Sequence, residues 1–340
     1  MADATETLYT APHLRWAVIG CGVIANEMAQ ALALEGRHLA GIANRTKAKA
    51  VAFAEKYGVE KVYDSYEELY ADPGIDAVYI TTPHNTHIDF MRACLSAGKH
   101  VLCEKSITLN SEELAEGRRL AAENGVVLMD ATTILHMPLY RELVRRAKAG
   151  EFGRMNVATI NFGSLREYDE RSRFFSPDLA GGAMLDIGVY AFTIARIFME
   201  SQPTEIRSLM NRAPSGVDDS SAIVMRNPEG QLATFMLTLR SKQPKRAMIS
   251  FDKCYIESME YPRADAATIT WVPEMRVEEV RAGERRCALA YEIADLEAAV
   301  AGDEERLGLI EIASDVMDLM TQCRRAWGVS YPEERAAGLA

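Results

Sequence analysis

The chain has no run of apolar residues approaching the roughly 20 needed to span a bilayer, so we expect no membrane-spanning helix. Basic charge is not in excess either. Its 49 Asp and Glu outweigh 38 Lys and Arg, for a net charge of −11 and a pI near 5.2. That balance argues against nucleic acid or an anionic membrane surface as a partner. Six cysteines, Cys21, Cys94, Cys103, Cys254, Cys287 and Cys323, lie scattered, without a Cys-x-x-Cys or a Cys/His pair at metal spacing. We therefore expect no metal site, and reduced, mostly buried thiols in a cytoplasmic protein. The start, Met1-Ala2-Asp3-Ala4-Thr5-Glu6, lacks the basic and apolar regions of a signal peptide, and residues 1–13 read as a short flexible tail. Internal repeats and low-complexity segments are also missing. What remains is an ordinary globular composition over 340 residues, enough for two domains.

The strongest local signal is Gly20-Cys21-Gly22-Val23-Ile24-Ala25. It follows the short apolar strand Trp16-Ala17-Val18-Ile19 and opens a helix rich in Ala, Leu and Met that runs to Leu34. A Gly-x-Gly-x-x-Ala turn between strand and helix is a dinucleotide fingerprint. Gly20 permits the tight turn, Gly22 lets backbone approach a pyrophosphate, and Ala25 keeps helix and strand close. The helix N-terminus, from Val23 and Ile24 on, then faces the phosphates with unpaired N–H groups.

Strand and helix patterns continue to alternate up to about Thr133, which predicts a mostly parallel, doubly wound sheet. The expected strands are 38–43, 75–82, 100–103 and 126–129, and the expected helices 46–57, 87–97 and 111–124. At the end of the second strand an NAD site usually carries Asp or Glu about twenty residues after the glycines. Here the residues are Asn44-Arg45-Thr46, so nothing repels a ribose 2′-phosphate. Arg45 is placed to pair with it or to stack on the adenine, with Lys49 one helical turn on adding charge; alternatively both are surface cations. The reading favours NADP, with NAD as the alternative. Two further segments sit at strand C-terminal ends, where open α/β sheets bind ligands: Thr81-Thr82-Pro83-His84-Asn85-Thr86-His87 and Cys103-Glu104-Lys105-Ser106. On its own, Glu104-Lys105 reads as a surface ion pair or as a proton donor beside an acid.

Four segments in order, Gly20–Ala25, Thr82–His87, Ala97–Lys105 and Gly181–Tyr190, resemble the Gfo/Idh/MocA family over about Leu14 to Tyr331. The Ala-Gly-Lys-His-Val-x-x-Glu-Lys run and the Gly-Gly-x-x-x-Asp-x-Gly run about eighty residues later carry the likeness. The resemblance implies a Rossmann domain, residues 1–133, and a second α+β domain, residues 134–340, with a large open, mostly antiparallel sheet and C-terminal helices at 290–326. In this family that sheet often forms a dimer interface, so a homodimer or higher homo-oligomer is expected. Strand patterns at 155–162, 206–212, 221–225, 232–239, 248–251, 255–259, 268–271 and 276–280 fit it, with one helix at 182–198.

The resemblance also assigns the catalytic residues. Lys105 matches the lysine of the Glu-Lys motif and Asp186 the aspartate of the glycine-pair motif. Tyr190 stands where inositol-dehydrogenase-like members have His. It resembles the tyrosine branch, which includes glucose–fructose oxidoreductase and dihydrodiol and xylose dehydrogenases. Thr81, Thr82, Pro83, Asn85, His87 and Glu104 join the cofactor set, although His87 and Asn85 also suit a capping or packing role. Asp186 and Tyr190, four apart on one helix, share a face. The implied reaction is hydride transfer between nicotinamide and a sugar, polyol or diol carbon, with Lys105 and Tyr190 in proton transfer and charge stabilisation. Which of the two moves the proton stays open, and without the resemblance Tyr190 reads as a buried helical tyrosine. A non-catalytic nucleotide sensor on the same scaffold is the alternative. One departure stands out: Ser106 replaces the family's proline after the lysine, which predicts either a looser loop or a local hydrogen bond from Ser106. His136 reads either as facing a cleft or as core. Arg166, Arg171 and Arg173 are weaker candidates for substrate contacts.

Overall fold

The computed structural model describes residues 12–339. All but the last two residues of the expected tail, 1–13, lie outside them. Two compact units form. The first comprises residues up to Thr108, Glu112–Ala131 and Arg286–Ile310; the second comprises Leu109–Ser111, Thr132–Arg285 and residues from Glu311 on.

The first unit is a six-stranded parallel sheet of β1 (Trp16–Ile19), β2 (Gly41–Ala43), β3 (Lys61–Val62), β4 (Ala77–Ile80), β5 (His100–Cys103) and β6 (Leu128–Asp130), in the order β3-β2-β1-β4-β5-β6. Helices α1 (Val23–Leu34), α2 (Lys47–Tyr57), α3 (Tyr66–Ala71), α4 (His87–Ser96) and α5 (Ser111–Asn124) connect the strands. Every residue of β1 and β4 is buried, as a parallel sheet covered on both faces requires. Strand order reverses between β1 and β4, which makes their C-terminal ends the ligand-binding switch point of such a sheet.

The sequence reading missed β3 and α3. β3 is a two-residue edge strand without a period to detect, but α3 had a signal. The Ser65 hydroxyl accepts the Glu68 N–H at 3.2 Å, the start of a Ser-x-x-Glu capping pattern. The reading also placed the helix at 290–301 in the second half, and the structure corrects this. The helix Ala288–Val300 belongs to the first unit, where Glu297 accepts hydrogen bonds from the Leu14 N–H and the Trp16 indole, both at 2.9 Å, and from Arg37 at 2.5 Å. Three donors converge on that buried carboxylate, a long-range arrangement that helical spacing alone does not reveal.

The second unit holds α6 (Pro138–Lys148), α7 (Val189–Arg196) and an eight-stranded sheet. Its strands are β7 (Met155–Gly163), β8 (Glu205–Arg212), β9 (Asp218–Arg226), β10 (Leu232–Thr238), β11 (Gln243–Phe251), β12 (Cys254–Met259), β13 (Ala266–Trp271) and β14 (Arg276–Arg281). The order is β14-β13-β12-β11-β7-β10-β9-β8, antiparallel except for β7 with β10. α6, also missed, begins with Pro138 in its first turn, where proline's missing N–H costs nothing. One sheet face packs on α7, with Phe192 stacked on Phe235 at 4.7 Å. The other carries Val157, Leu209, Val224, Leu232, Met236 and Met259, all exposed.

The expectation of no long apolar stretch needs one amendment. Pro177–Arg196 is long and apolar enough by length and composition to cross a membrane, but its most apolar 18-residue stretch is 83% buried in the protein. Its apolar character therefore belongs to a core segment.

Candidate active site

At the end of β1, Gly20 has φ +104°, and a methyl group there would sit 2.6 Å from Thr81 Oγ1. Thr81 in turn donates from Oγ1 to the Ile19 carbonyl at 3.0 Å. The turn therefore abuts the end of β4 at the switch point, and only glycine fits. Gly22 differs: a Cβ there would meet nothing within 4 Å. α1 has no side-chain cap and no acidic residue in its first turn, and Val23 at that end is 75% exposed. An open approach to an uncapped helix N-terminus fits a dinucleotide pyrophosphate.

Beside it, the β2 end carries no carboxylate. Asn44 spends its amide on the Thr46 carbonyl at 2.9 Å, and Arg45 and Lys49 are exposed. Burial suppresses the acidity of the Tyr66 hydroxyl, against the opposing pull of the Arg45 charge and backbone. Burial likewise pushes up the Cys21 thiol, opposed by the nearby Lys49 charge. The residues present thus fit a nicotinamide dinucleotide. Tyr66, which packs edge-on against Phe90 at 4.9 Å, escaped the sequence reading because nothing local links it to Arg45.

The Lys105 loop is tied down on several sides. Glu104 continues the strand ladder through its N–H to the Ile80 carbonyl at 3.0 Å, and its side chain accepts from the Tyr79 hydroxyl. The Lys105 carbonyl faces His84 Nε2 at 3.0 Å. His87 lies between the Thr82 carbonyl, 2.8 Å from Nε2, and the Ser106 carbonyl, 3.0 Å from Nδ1. Burial holds the His87 imidazole below its ordinary range, against the pull of those carbonyls, and the Lys105 charge lowers it further. Fully buried, His87 joins the Thr82 and Ser106 loops, in keeping with the packing role its position also suited. Ser106, where the resemblance predicted a looser loop, is also fully buried, and the Lys105–Ser106 peptide is cis. His84 was quoted in its motif but not selected, since a carbonyl partner 21 positions away leaves no local trace.

In the second unit Met184–Gly188 is wound as one π turn that runs directly into α7. A wider turn still leaves Asp186 and Tyr190 on neighbouring sides of the helix, and such turns recur at functional sites. Asp186 is nearly buried and has Arg173 Nη1 at 3.5 Å. The Arg173 and Arg166 guanidinium groups lie 4.3 and 4.2 Å from the Phe174 ring centroid, whereas Arg171 pairs with Asp169 on the surface. Tyr190 is half-buried against Phe162 at 6.0 Å, and Phe162 also meets Tyr261 edge-on at 6.0 Å. This aromatic wall, with Lys245 Nζ 5.2 Å from the Phe162 ring, was not anticipated. Its members come from three separate elements. His136 is fully buried, which favours its core reading. Among the described residues, no group of three or more His, Cys, Asp or Glu could hold a metal ion, and all six cysteines are free thiols.

Comparison with known proteins agrees with this architecture. Residues 14–132 match the oxidoreductase family model with an NAD-binding Rossmann fold, and residues 140–257 match the GFO/IDH/MocA C-terminal domain. The chain is 28% identical over 333 residues to trans-1,2-dihydrobenzene-1,2-diol dehydrogenase of Mus musculus, covering 95% of this chain and 99% of that one. The Homo sapiens protein of the same name is 27% identical over 345 residues, with the same coverage. Among solved structures, aldose-aldose oxidoreductase from Caulobacter crescentus superposes with a TM-score of 0.81 at 20% identity, covering 93% of this chain and 98% of that one. A 3-ketoreductase from Actinomadura kijaniata, solved with NADP and TDP-benzene, gives 0.79 at 22% identity, over 91% and 96%. At these identities the structural likeness speaks for the fold.

Proposed function

This chain belongs to the Gfo/Idh/MocA oxidoreductase family, and on that premise we propose that it is an NADP-dependent enzyme acting on the hydroxyl or carbonyl carbon of a sugar, polyol or diol. The observation that carries the reading lies in the first unit. The open Gly22 turn, the exposed Arg45 and Lys49, and the tethered Glu104-Lys105 loop all follow C-terminal ends of strands in one parallel sheet. The dihydrodiol dehydrogenases that the chain resembles along nearly its whole length support the substrate class.

When bound, the nicotinamide supplies or accepts the hydride. Gly20, Gly22 and the α1 N-terminus hold the pyrophosphate, with Val23, Ile24 and residues 81–85 around the dinucleotide. Arg45 and Lys49 bind the 2′-phosphate, where Asn44 offers no repelling charge; NAD is the alternative that titration decides. Lys105 stabilises negative charge on the substrate oxygen, and Tyr190 exchanges the proton there. Asp186 orients the substrate. The exposed apolar positions of the eight-stranded sheet support a homodimer through that face, and the six free thiols suit a cytoplasmic setting.

The test is absorbance at the reduced-nicotinamide band, with NADP and then NAD, against aldoses, inositols, diols and dicarbonyls. Turnover with NADP and one of these classes is expected. Tyr190→Phe and Lys105→Met are each expected to cost about 10²–10⁴ in kcat while cofactor binding persists. Full activity in both variants would end the assignment of these residues. Silence across the panel with tight NADP binding would move the reading to a nucleotide sensor.

A further inference from the structure

Asp218 opens β9 and is fully buried. Its Oδ2 accepts the Met184 N–H at 2.7 Å, at the start of the π turn that carries Asp186 and leads into the helix of Tyr190. Its Oδ1 has no hydrogen-bond partner among the described residues and lies against Gly182, where a methyl group would come within 2.3 Å of it. Gly182 has φ +123°, so both backbone conformation and space demand glycine there. Its neighbour Gly181 is held from another direction. The buried Tyr331 hydroxyl donates to the Gly181 carbonyl at 2.7 Å. Tyr331 lies under the Arg324 guanidinium, 4.8 Å from its ring centroid, and Glu334 binds Arg324 at 2.7 and 2.8 Å. Side chains from β9 and from the C-terminal segment therefore grip the two glycines that begin the Asp186–Tyr190 helix.

We infer that Asp218 and Tyr331 are positioning residues for the reaction, fixing the Gly181-Gly182 turn so that Asp186 and Tyr190 keep their aim. The inference rests on the proposed roles of Asp186 and Tyr190. It predicts control of turnover by the charge of Asp218, because a carboxylate accepts the Met184 N–H more strongly than a neutral acid does. Burial pushes the Asp218 carboxyl up to about 6. The groups facing it are Arg324 and Cys323 on the helix Leu309–Ala326, Tyr331 beyond that helix, and Asp219 beside it on β9. Arg324 favours the ionised form and Asp219 opposes it. Cys323 is pushed up to about 12 and Tyr331 also upward, so neither titrates near 6. The folded value is above the unfolded one of about 3.9. This group's contribution to stability is therefore full below about pH 4 and lost as pH rises through about 6. The ionised side chain thus costs stability at neutral pH, as expected of a group kept for aim.

The experiment measures kcat and KM from about pH 5 to 9 for the parent, Asp218→Asn and Tyr331→Phe, with melting curves. Parental kcat is expected to fall below about pH 6. Asp218→Asn is expected to lose about tenfold in kcat at neutral pH, with unchanged cofactor KM and no acid limb near 6. Tyr331→Phe is expected to lose severalfold in kcat and to keep the limb. Parental kcat and an intact limb in both variants, while Tyr190→Phe and Lys105→Met are inactive, would overturn the positioning role and leave the site reading standing. Retained turnover in those last two would instead remove its premise. Lower melting temperature with unchanged kcat is the outcome of a merely structural role and also overturns it. If Asp218→Asn does not fold, kcat of Tyr331→Phe decides.

Discussion

β1 and β4 of the parallel sheet are buried at every residue, whereas β8 of the eight-stranded sheet alternates exposed and half-buried positions along most of its length. One sheet is covered on both faces and leaves ligands only its strand ends. The other has a covered face that supports the Asp186–Tyr190 helix and a second, exposed face. The register lines up that second face. Leu209, Ala222, Met236, Asn161, Arg246 and Met259 form one row across six strands. Apolar side chains interleaved with a few polar ones suit an association surface better than a core. The two sheets therefore differ in what they offer: strand ends in the first, and in the second a covered face beneath a helix and an open face.

The sharpest test of that contrast is a charge placed on each sheet. Ile80→Asp in β4 buries an unpaired carboxylate and is expected to cost more than about 4 kcal/mol, read as loss of soluble folded protein. Met236→Asp on the exposed face is expected to shift subunit stability by less than about 0.5 kcal/mol while reducing the mass in light scattering from dimer to monomer. An unchanged mass would remove the assembly role of that face.

A smaller contrast lies within one turn. Gly20→Ala is expected to destabilise by about 1–3 kcal/mol, because the methyl group meets Thr81 at a positive φ. Gly22→Ala is expected to leave the melting curve unchanged and weaken NADP binding about tenfold. Thermal melts and fluorescence titration separate the two, and equal melts would mean that Gly20 is not under the constraint described. Least disruptive to the fold is Arg45→Ala. It should raise the NADP Kd about tenfold and leave NAD binding nearly unchanged; equal losses for both would place Arg45 on the adenine rather than on the 2′-phosphate.

Much of this was legible in the residues. Apolar runs located β1, β4 and β5 because a sheet buried on both faces must be apolar throughout. Strands of the second sheet were found because a half-covered sheet alternates. The glycine turn and the carboxylate-free β2 end at Arg45 were legible through spacing, whereas Lys105, Asp186 and Tyr190 were selected through the family resemblance, since on their own Lys105 reads as part of a surface ion pair and Tyr190 as a buried tyrosine. β3 and α6 were missed, the first as too short for periodicity and the second despite its initial proline.

Local pattern alone was sufficient for the dinucleotide turn and for most strands of both sheets, because those depend on neighbours within one turn or one strand; the candidate catalytic set and the two-domain arrangement came from the family resemblance. Tertiary structure decided the rest. It assigned Ala288–Val300 to the first unit through Glu297, made His87 a buried link between loops, and set Asp218 and Tyr331 around the glycine pair. The physical reason is common to all three. Each depends on a buried polar group that must find its partner, and those partners lie 281, 19, 34 and 150 positions away, beyond the reach of any periodicity.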